Sequence, residues 1–222
     1  MFQFPITCVD NFFKHPDEIV NLANTLDYKS SPDGLWPGAR SPELHHVNPA
    51  LKNAICSKYL KLHLSATIIG FQCTAYFQKI ESSLGGLGEG WVHNDTPHMH
   101  TSLIYLNKDE NLKSGTSLFR PKKGIGPIYT TRNNMKKREF NLGKLSAEEA
   151  EKYRAESNSD FEETVRFSNV YNRCIGFDSS YWHSANNFVQ KDKKEPRLTL
   201  IIFWYEVSSG QTGIHRSDME IL

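Results

Sequence analysis

Cysteine is scarce: Cys8, Cys56, Cys73 and Cys174 are the four in a chain of 222 residues. None belongs to a C-x-x-C pair, so their spacing offers neither a zinc knuckle nor an evident disulfide framework. An excess of one charge is also lacking, with 26 basic against 25 acidic residues. That balance removes any global pull toward nucleic acid or an anionic membrane surface. The strongest apolar run, Leu198 to Tyr205, falls far short of the roughly 20 residues a membrane-spanning helix needs. The opening Met1-Phe2-Gln3-Phe4-Pro5 lacks the basic flank and apolar stretch of a signal peptide. The expectation is a cytoplasmic protein without a membrane partner. Internal repeats and low-complexity segments are missing too, and the length suits one domain over 1–222.

What is present changes character along the chain. His15-Pro16-Asp17-Glu18 opens a helix, with proline early, acids in the first turn, and Ile19, Leu22, Ala23 and Leu26 at helical spacing. Residues 31–49, rich in proline, read as a loop, and Asn48 to Leu62 as a second helix. From Thr67 onward β-branched and aromatic residues dominate. Strands are predicted at Thr67–Gln78, Trp91–Asp95, Thr101–Leu106, Thr116–Arg120, Val170–Phe177, Tyr181–Ser184 and Arg197–Val207. Ser146-Ala147-Glu148-Glu149 is a capping-box pattern that opens a helix to about Glu156. The polar residues around it, about 121–169, read as a surface excursion. The glycine-rich stretch 85–90 reads as a mobile lid. Together these features predict a helical support region, 1–66, and a mainly β core, 67–207. In fold class this is α+β, with flanking N-terminal helices on a sandwich or barrel of short strands.

Chemistry concentrates in three places. In a strand, residues two apart share a face, so His93 and Asp95 of His93-Asn94-Asp95 can reach one cation from the same side. His183, in Tyr181-Trp182-His183-Ser184, supplies a second imidazole. Two histidines and one carboxylate are the donor set of the facial triad that leaves other metal positions open. Glu195-Pro196-Arg197-Leu198-Thr199 then opens the longest apolar strand, with Arg197 and Thr199 on one face. An arginine aimed into an apolar barrel needs an anionic partner, and a carboxylate fits its fork with two parallel hydrogen bonds.

The order His93-x-Asp95, His183, Arg197-x-Thr199 resembles the Fe(II)/2-oxoglutarate-dependent dioxygenase superfamily, and looks closest to its prolyl-4-hydroxylase-like branch. That branch carries a tyrosine on the first core strand, where this chain has Tyr76 within Thr74-Ala75-Tyr76-Phe77. The polar face Gln72, Thr74, Tyr76, Gln78 is expected to line a pocket, and the apolar face Ile69, Phe71, Cys73, Ala75, Phe77 to pack under helices. The resemblance spans about residues 67–207 and implies a double-stranded β-helix of the jelly-roll or cupin-like type. It implies Fe(II) on His93, Asp95 and His183, 2-oxoglutarate on Arg197, Thr199 and Tyr76, and O₂ as oxidant. The implied reaction hydroxylates a C–H bond of a peptidyl substrate, prolyl included, or of a small molecule, releasing succinate and CO₂. Phe203 stands where nucleic-acid demethylases of the superfamily carry a second arginine, which counts against base demethylation. Asp95 stands where halogenating members lack the acid.

Trp91, His98 and Arg40 are further candidates for substrate contact. His98-Met99-His100 also reads as a same-face histidine pair in a strand. The alternative to an oxygenase is a cupin-like barrel that binds a metal or small molecule without this chemistry. Arg197 separates the two readings, because such a binder has no need of a buried arginine across from its metal.

Overall fold

The β-branched run that follows residue 67 forms strand β4 (Ile68–Ile80), and the apolar run opened by Arg197 forms β10 (Arg197–Ser209). The two pair antiparallel along nearly their whole length, from Arg197 opposite Ile80 to Ser209 opposite Ile68. The computed structural model describes residues 6–64, 68–80, 89–108, 113–124, 127–187 and 195–209, with backbone alone at 68–69, 127–133 and 209. Within these residues β10 and β4 form the middle of a seven-stranded sheet. Its other members are β1 (Thr7–Val9), β2 (Lys29–Ser30), β3 (Ala39–Arg40), β5 (His100–Tyr105) and β8 (Cys174–Asp178). The order is β1-β8-β5-β10-β4-β3-β2. A second sheet has the order β7-β6-β9, with β6 at Gly115–Pro121, β7 at Phe161–Ser168 and β9 at Trp182–Asn186. All pairings between these strands are antiparallel.

Alternation on the long strands divides the molecule. On one face Cys73, Ala75, Phe77, Leu200, Ile202 and Trp204 are buried against helices α1 (Pro16–Asn24) and α3 (Pro49–His63), which contribute Ile19, Ala23, Ile55 and Tyr59. Each large side chain taken out of water here contributes roughly 1.5–3 kcal/mol. On the other face Thr74, Tyr76, Gln78, Thr199, Ile201 and Phe203 line a cavity. The expected polar face is therefore present on β4, except that Gln72 lies outside and donates to Glu206 Oε2 at 3.0 Å. A smaller apolar cluster, Tyr105, Leu118, Phe167, Ile175 and Phe177, joins the two sheets. Two antiparallel sheets joined in this way make a jelly-roll-like core.

The helix ends follow their sequence signals. Pro16 occupies the first turn of α1 with Asp17 and Glu18 beside it. Asn48 caps α3 by accepting from Leu51 N at 3.0 Å. Ser146 and Glu149 close the expected capping box on α5 (Ala147–Asn158).

Several expectations need correction. Residues 31–49 are not loop throughout: β3 extends the large sheet, and a short helix α2 (Leu44–Val47) follows. The strand predicted from Val170 begins at Cys174, because Val170–Asn172 form a turn closed by Arg173 N on Val170 O at 3.0 Å. Trp91–Asp95 is not a regular strand; it touches the second sheet through one bridge, His93 with His183. The stretch 121–169 is more than a surface excursion. It carries β7, which completes the second sheet, and helix α4 (Pro127–Asn141), which reaches the cavity wall. Most of the expected lid lies outside the described residues. All four cysteines are free, and Cys56 and Cys73, 17 residues apart, come within 3.5 Å in the helix-packed core. No helix among the described residues is long and apolar enough to cross a membrane.

Candidate metal centre and its cavity

His93 and Asp95 reach one point without a strand to carry them. The backbones of His93 and His183 exchange hydrogen bonds, His93 N to His183 O at 3.0 Å and His183 N to His93 O at 2.7 Å. Asp95 N donates to Ser179 O at 2.9 Å, so a short irregular segment is fixed against β9 and the end of β8. Its two side chains then point together, which is the arrangement a regular strand was expected to supply. Asp95 Oδ1 lies 3.7 Å from His93 Nε2, and Asp95 Oδ2 lies 3.3 Å from His183 Nε2. One ligand atom from each of the three residues falls within 4.8 Å of the others.

The protonation pattern suits a cation. Each imidazole has its Nδ1 against the carbonyl two residues back: His93 with Trp91 O at 2.8 Å, His183 with Tyr181 O at 3.0 Å. A carbonyl can only accept, so Nδ1 carries the proton and Nε2 is left with a bare lone pair. Burial, with Lys137 and His183 nearby, pushes His93 well below the usual histidine range. Burial alone would raise the Asp95 carboxyl. The positive charge of the His183 and His93 rings when protonated, with the Thr101 hydroxyl, outweighs it and holds the acid below the usual carboxylate range. Neutral His93 beside ionised Asp95 is the state that metal binding requires. Thr101 donates to Asp95 Oδ2 at 2.9 Å and contacts Ser179 Oγ at 2.9 Å. It orients the carboxylate, as second partners of metal ligands do. Nothing in its sequence context distinguishes Thr101 from any other strand threonine.

The three residues stand in the wall of a cavity of about 520 Å³. The candidates for co-substrate and substrate contact also line it: Arg197, Thr199, Tyr76, Trp91, His98 and Arg40. Arg197 starts β10 and is 9% exposed. Its Nη2 donates to Gly115 O at 3.1 Å, and its guanidinium carbon sits 5.6 Å from the centre of the Tyr105 ring. Its Nη1 is buried without a partner, and no carboxylate pairs with it among the described residues. Burial pulls the guanidinium below its ordinary value, with Tyr105 opposing. The carbonyl it uses belongs to a residue at φ 151°, where an added Cβ would stand 1.8 Å from Phe167 O. Glycine is the residue that fits at 115.

Tyr76 pairs with Ile201, two pleat repeats along β10 from Arg197, and its ring lies 5.7 Å from the Arg40 guanidinium. His98 is wedged between Phe203 and Tyr205, each 4.8 Å away. The pairing of His98 with His100 does not occur. Only His100 is in β5, and it turns away into the helix-packed core beside Tyr59 and His63. Sequence reading missed Asn141 of α4 and Thr116 of β6, both in the cavity wall; Lys137 and Arg138, also in that wall, belong to the run Lys136-Lys137-Arg138, which reads in the sequence as a basic patch able to touch a phosphate.

Solved structures with this fold include HygX from Streptomyces hygroscopicus with iron bound, at a TM-score of 0.53 and 11% identity, covering 91% of this chain and 82% of HygX. SnoN, the non-haem α-ketoglutarate-dependent epimerase of nogalamycin biosynthesis, gives 0.52 at 10% identity, covering 93% and 80%. A prolyl hydroxylase from Trichoplax adhaerens, solved with a hypoxia-inducible-factor peptide, gives 0.47 at 12% identity, covering 90% and 83%. At these identities the likeness is one of fold. No curated protein matches by sequence. A family model does match, over residues 2–204, and the chain belongs to that family, one of unknown function designated DUF6445.

Proposed function

We propose that this chain is a non-haem Fe(II) oxygenase that consumes 2-oxoglutarate and O₂, hydroxylates a C–H bond, and releases succinate and CO₂. The observation that carries this reading is Arg197. Its buried guanidinium has an unpartnered nitrogen and faces the same cavity as a two-histidine, one-aspartate cluster. A buried cation without an anion is costly, and a dicarboxylate that bridges metal and arginine removes that cost. A cupin-like binder leaves Arg197 unexplained.

The donor set fits a ferrous ion: two Nε2 lone pairs and one carboxylate on one side, with the cavity on the other. His93, Asp95 and His183 would hold it, Arg197 and Thr199 would take the far carboxylate of 2-oxoglutarate, and Tyr76 lines the approach. When bound, the metal and co-substrate supply the oxidising chemistry. The chain's own residues do the rest. The carbonyls of Trp91 and Tyr181 keep both imidazoles in the metal-binding tautomer. Thr101 holds Asp95 by one oxygen, and Trp91 and Leu103 keep part of the wall apolar and exclude water. The two sheets would close around this cavity as a double-stranded β-helix, with the whole chain as one catalytic unit.

The test is the visible spectrum of the anaerobic protein with Fe(II) and 2-oxoglutarate. A keto acid chelating Fe(II) gives a weak charge-transfer band, expected in the native protein. At limiting co-substrate it should be lost in Arg197→Ala and in His183→Ala. A metal-loaded protein with no band overturns the 2-oxoglutarate reading.

A further inference from the structure

Charge in the cavity wall is one-sided. Arg40, Lys137, Arg138 and Arg197 line it, and among the described residues Asp95 is its one carboxylate. If the metal and co-substrate bind as proposed above, a divalent cation and a dicarboxylate cancel, and Asp95 offsets Arg197. Arg138 is exposed, but Arg40 and Lys137 are half-buried and stay uncompensated. Neither makes an ion pair with a carboxylate among the described residues. The contrast within α4 is direct: Lys136 pairs with Glu139 at 2.7 Å, while the next residue turns to the cavity without such a partner.

The two cations are also held in place. Arg40 has its guanidinium 4.4 Å from the Trp36 ring centre and 5.3 Å from that of Phe203, and its Nε is buried without a partner. Stacking of this kind leaves the edge of the fork free to grip an oxyanion. Gly38, two residues earlier, lies at φ +69°, and a Cβ there would meet Lys79 O at 2.1 Å, so the turn before Arg40 is pressed onto β4. Gln78 Nε2 donates to Pro37 O at 2.7 Å, and Asn141 Nδ2 donates to Gly34 O at 2.9 Å. The last hydrogen bond ties the helix that bears Lys137 to the loop that leads into β3 and Arg40. Burial depresses both groups, Arg40 to about 10 and Lys137 to about 8, with Asp95 opposing only in part.

We propose that Arg40 and Lys137 form an oxyanion subsite for the primary substrate, which is a small molecule bearing a carboxylate or phosphate near the C–H bond that is oxidised. The inference rests on the proposed function and adds the substrate class. A cavity of about 520 Å³ lies within the range of small-molecule sites, roughly 300–1,000 Å³.

The test uses protein loaded with Mn(II) and saturating 2-oxoglutarate, titrated with benzoate, phenyl phosphate and the neutral benzyl alcohol, and read by tryptophan fluorescence. Binding of benzoate or of phenyl phosphate at least tenfold tighter than benzyl alcohol is expected, and whichever anion binds better identifies the acid group. Arg40→Gln and Lys137→Gln should each weaken the anion at least tenfold and leave 2-oxoglutarate affinity within about twofold, while Arg40→Lys and Lys137→Arg should recover part of it. Equal binding of the neutral probe, or anion binding indifferent to all four variants, overturns the inference. So does loss of 2-oxoglutarate affinity in step with the anion, because both cations would then serve the co-substrate. The Fe(II) charge-transfer band of the native protein reads the underlying assignment separately: its presence with no anion preference defeats this inference alone, and its absence defeats the oxygenase reading.

Discussion

The inner and outer walls of the cavity are built from different material. The inner wall belongs to strands fixed from both sides: Arg197 and Thr199 on β10, between β4 and β5, and His183 on β9, paired to β6 on one side and bridged to His93 on the other. The outer wall belongs to minor elements: Arg40 on the two-residue β3, Lys137 near the end of α4. A long strand flanked on both sides cannot move its side chains without breaking ladders, whereas the two-residue β3 is held by only two registered pairs on each side, to β4 and to β2. Chemistry common to many substrates suits the first wall, and recognition of one substrate suits the second.

The largest expected break comes from beneath the inner wall. Trp204 is fully buried, stacks 5.5 Å from Tyr59, and donates to Ser102 Oγ at 2.9 Å, while its carbonyl accepts from Met99 N at 2.8 Å. Trp204→Ala should cost about 3–5 kcal/mol, read as a fall in the urea midpoint, and should weaken Mn(II) binding as well. A variant that loses the stability but keeps full metal affinity would show that the inner wall does not depend on its apolar backing.

Acid comes next. Burial holds His63 down to about 4 and His100 well below its ordinary value, so both stay neutral in the folded chain when the unfolded chain protonates them. The unfolded state then binds more protons, and stability falls as pH drops below about 6.5, by roughly 1 kcal/mol per histidine per pH unit. Chemical denaturation at pH 7.5, 6.5 and 5.5 measures this, and His100→Gln should flatten the dependence. Both histidines sit in the helix-packed core beside Tyr59, so the loss sharpens the comparison by striking the backing of the inner wall.

The smallest effect belongs to the outer wall. Asn141→Ala removes the hydrogen bond to Gly34 O and should cost about 1 kcal/mol or less in global stability. Benzoate or phenyl phosphate affinity should nonetheless fall severalfold. Metal affinity unchanged in the same variant would complete the contrast with Trp204→Ala.

Legibility in the sequence follows the same division. Arg197 and Thr199 were readable because a long apolar strand fixes a period of two, and the polar face of β4 for the same reason. His93 and Asp95 were readable for a reason that proved incidental: the strand assumed for them is a single bridge to His183. Their spacing suits either geometry. The strand β7 was hidden because Phe161-Glu162-Glu163-Thr164-Val165-Arg166 is an edge strand whose exposed charges mask the alternation. Helix α4 was hidden because Pro127–Asn141 has no apolar stripe; the side it shows to the molecule includes Asn134, Lys137 and Asn141, which meet a cavity rather than a core. Lys136-Lys137-Arg138 reads as a basic run, but which of the three face a cavity could not be read without that placement. Arg40 carried a weak local signal, an aromatic and a cation around a turn. The separation of His98 from His100 depends on where β5 begins, which a run of alternating residues does not mark.

The reciprocal backbone bond between His93 and His183 has a consequence for how the centre fills. Segments 90 residues apart in sequence are joined by their main chains, and each imidazole is turned by the carbonyl two residues before it. The three donor side chains are thus placed by bonds within the protein, unlike the ligands of a zinc finger, which the metal itself must fold. If the centre holds iron as proposed, removing the ion is expected to leave the shape of the chain unchanged, so that loading is a matter of supply rather than of assembly.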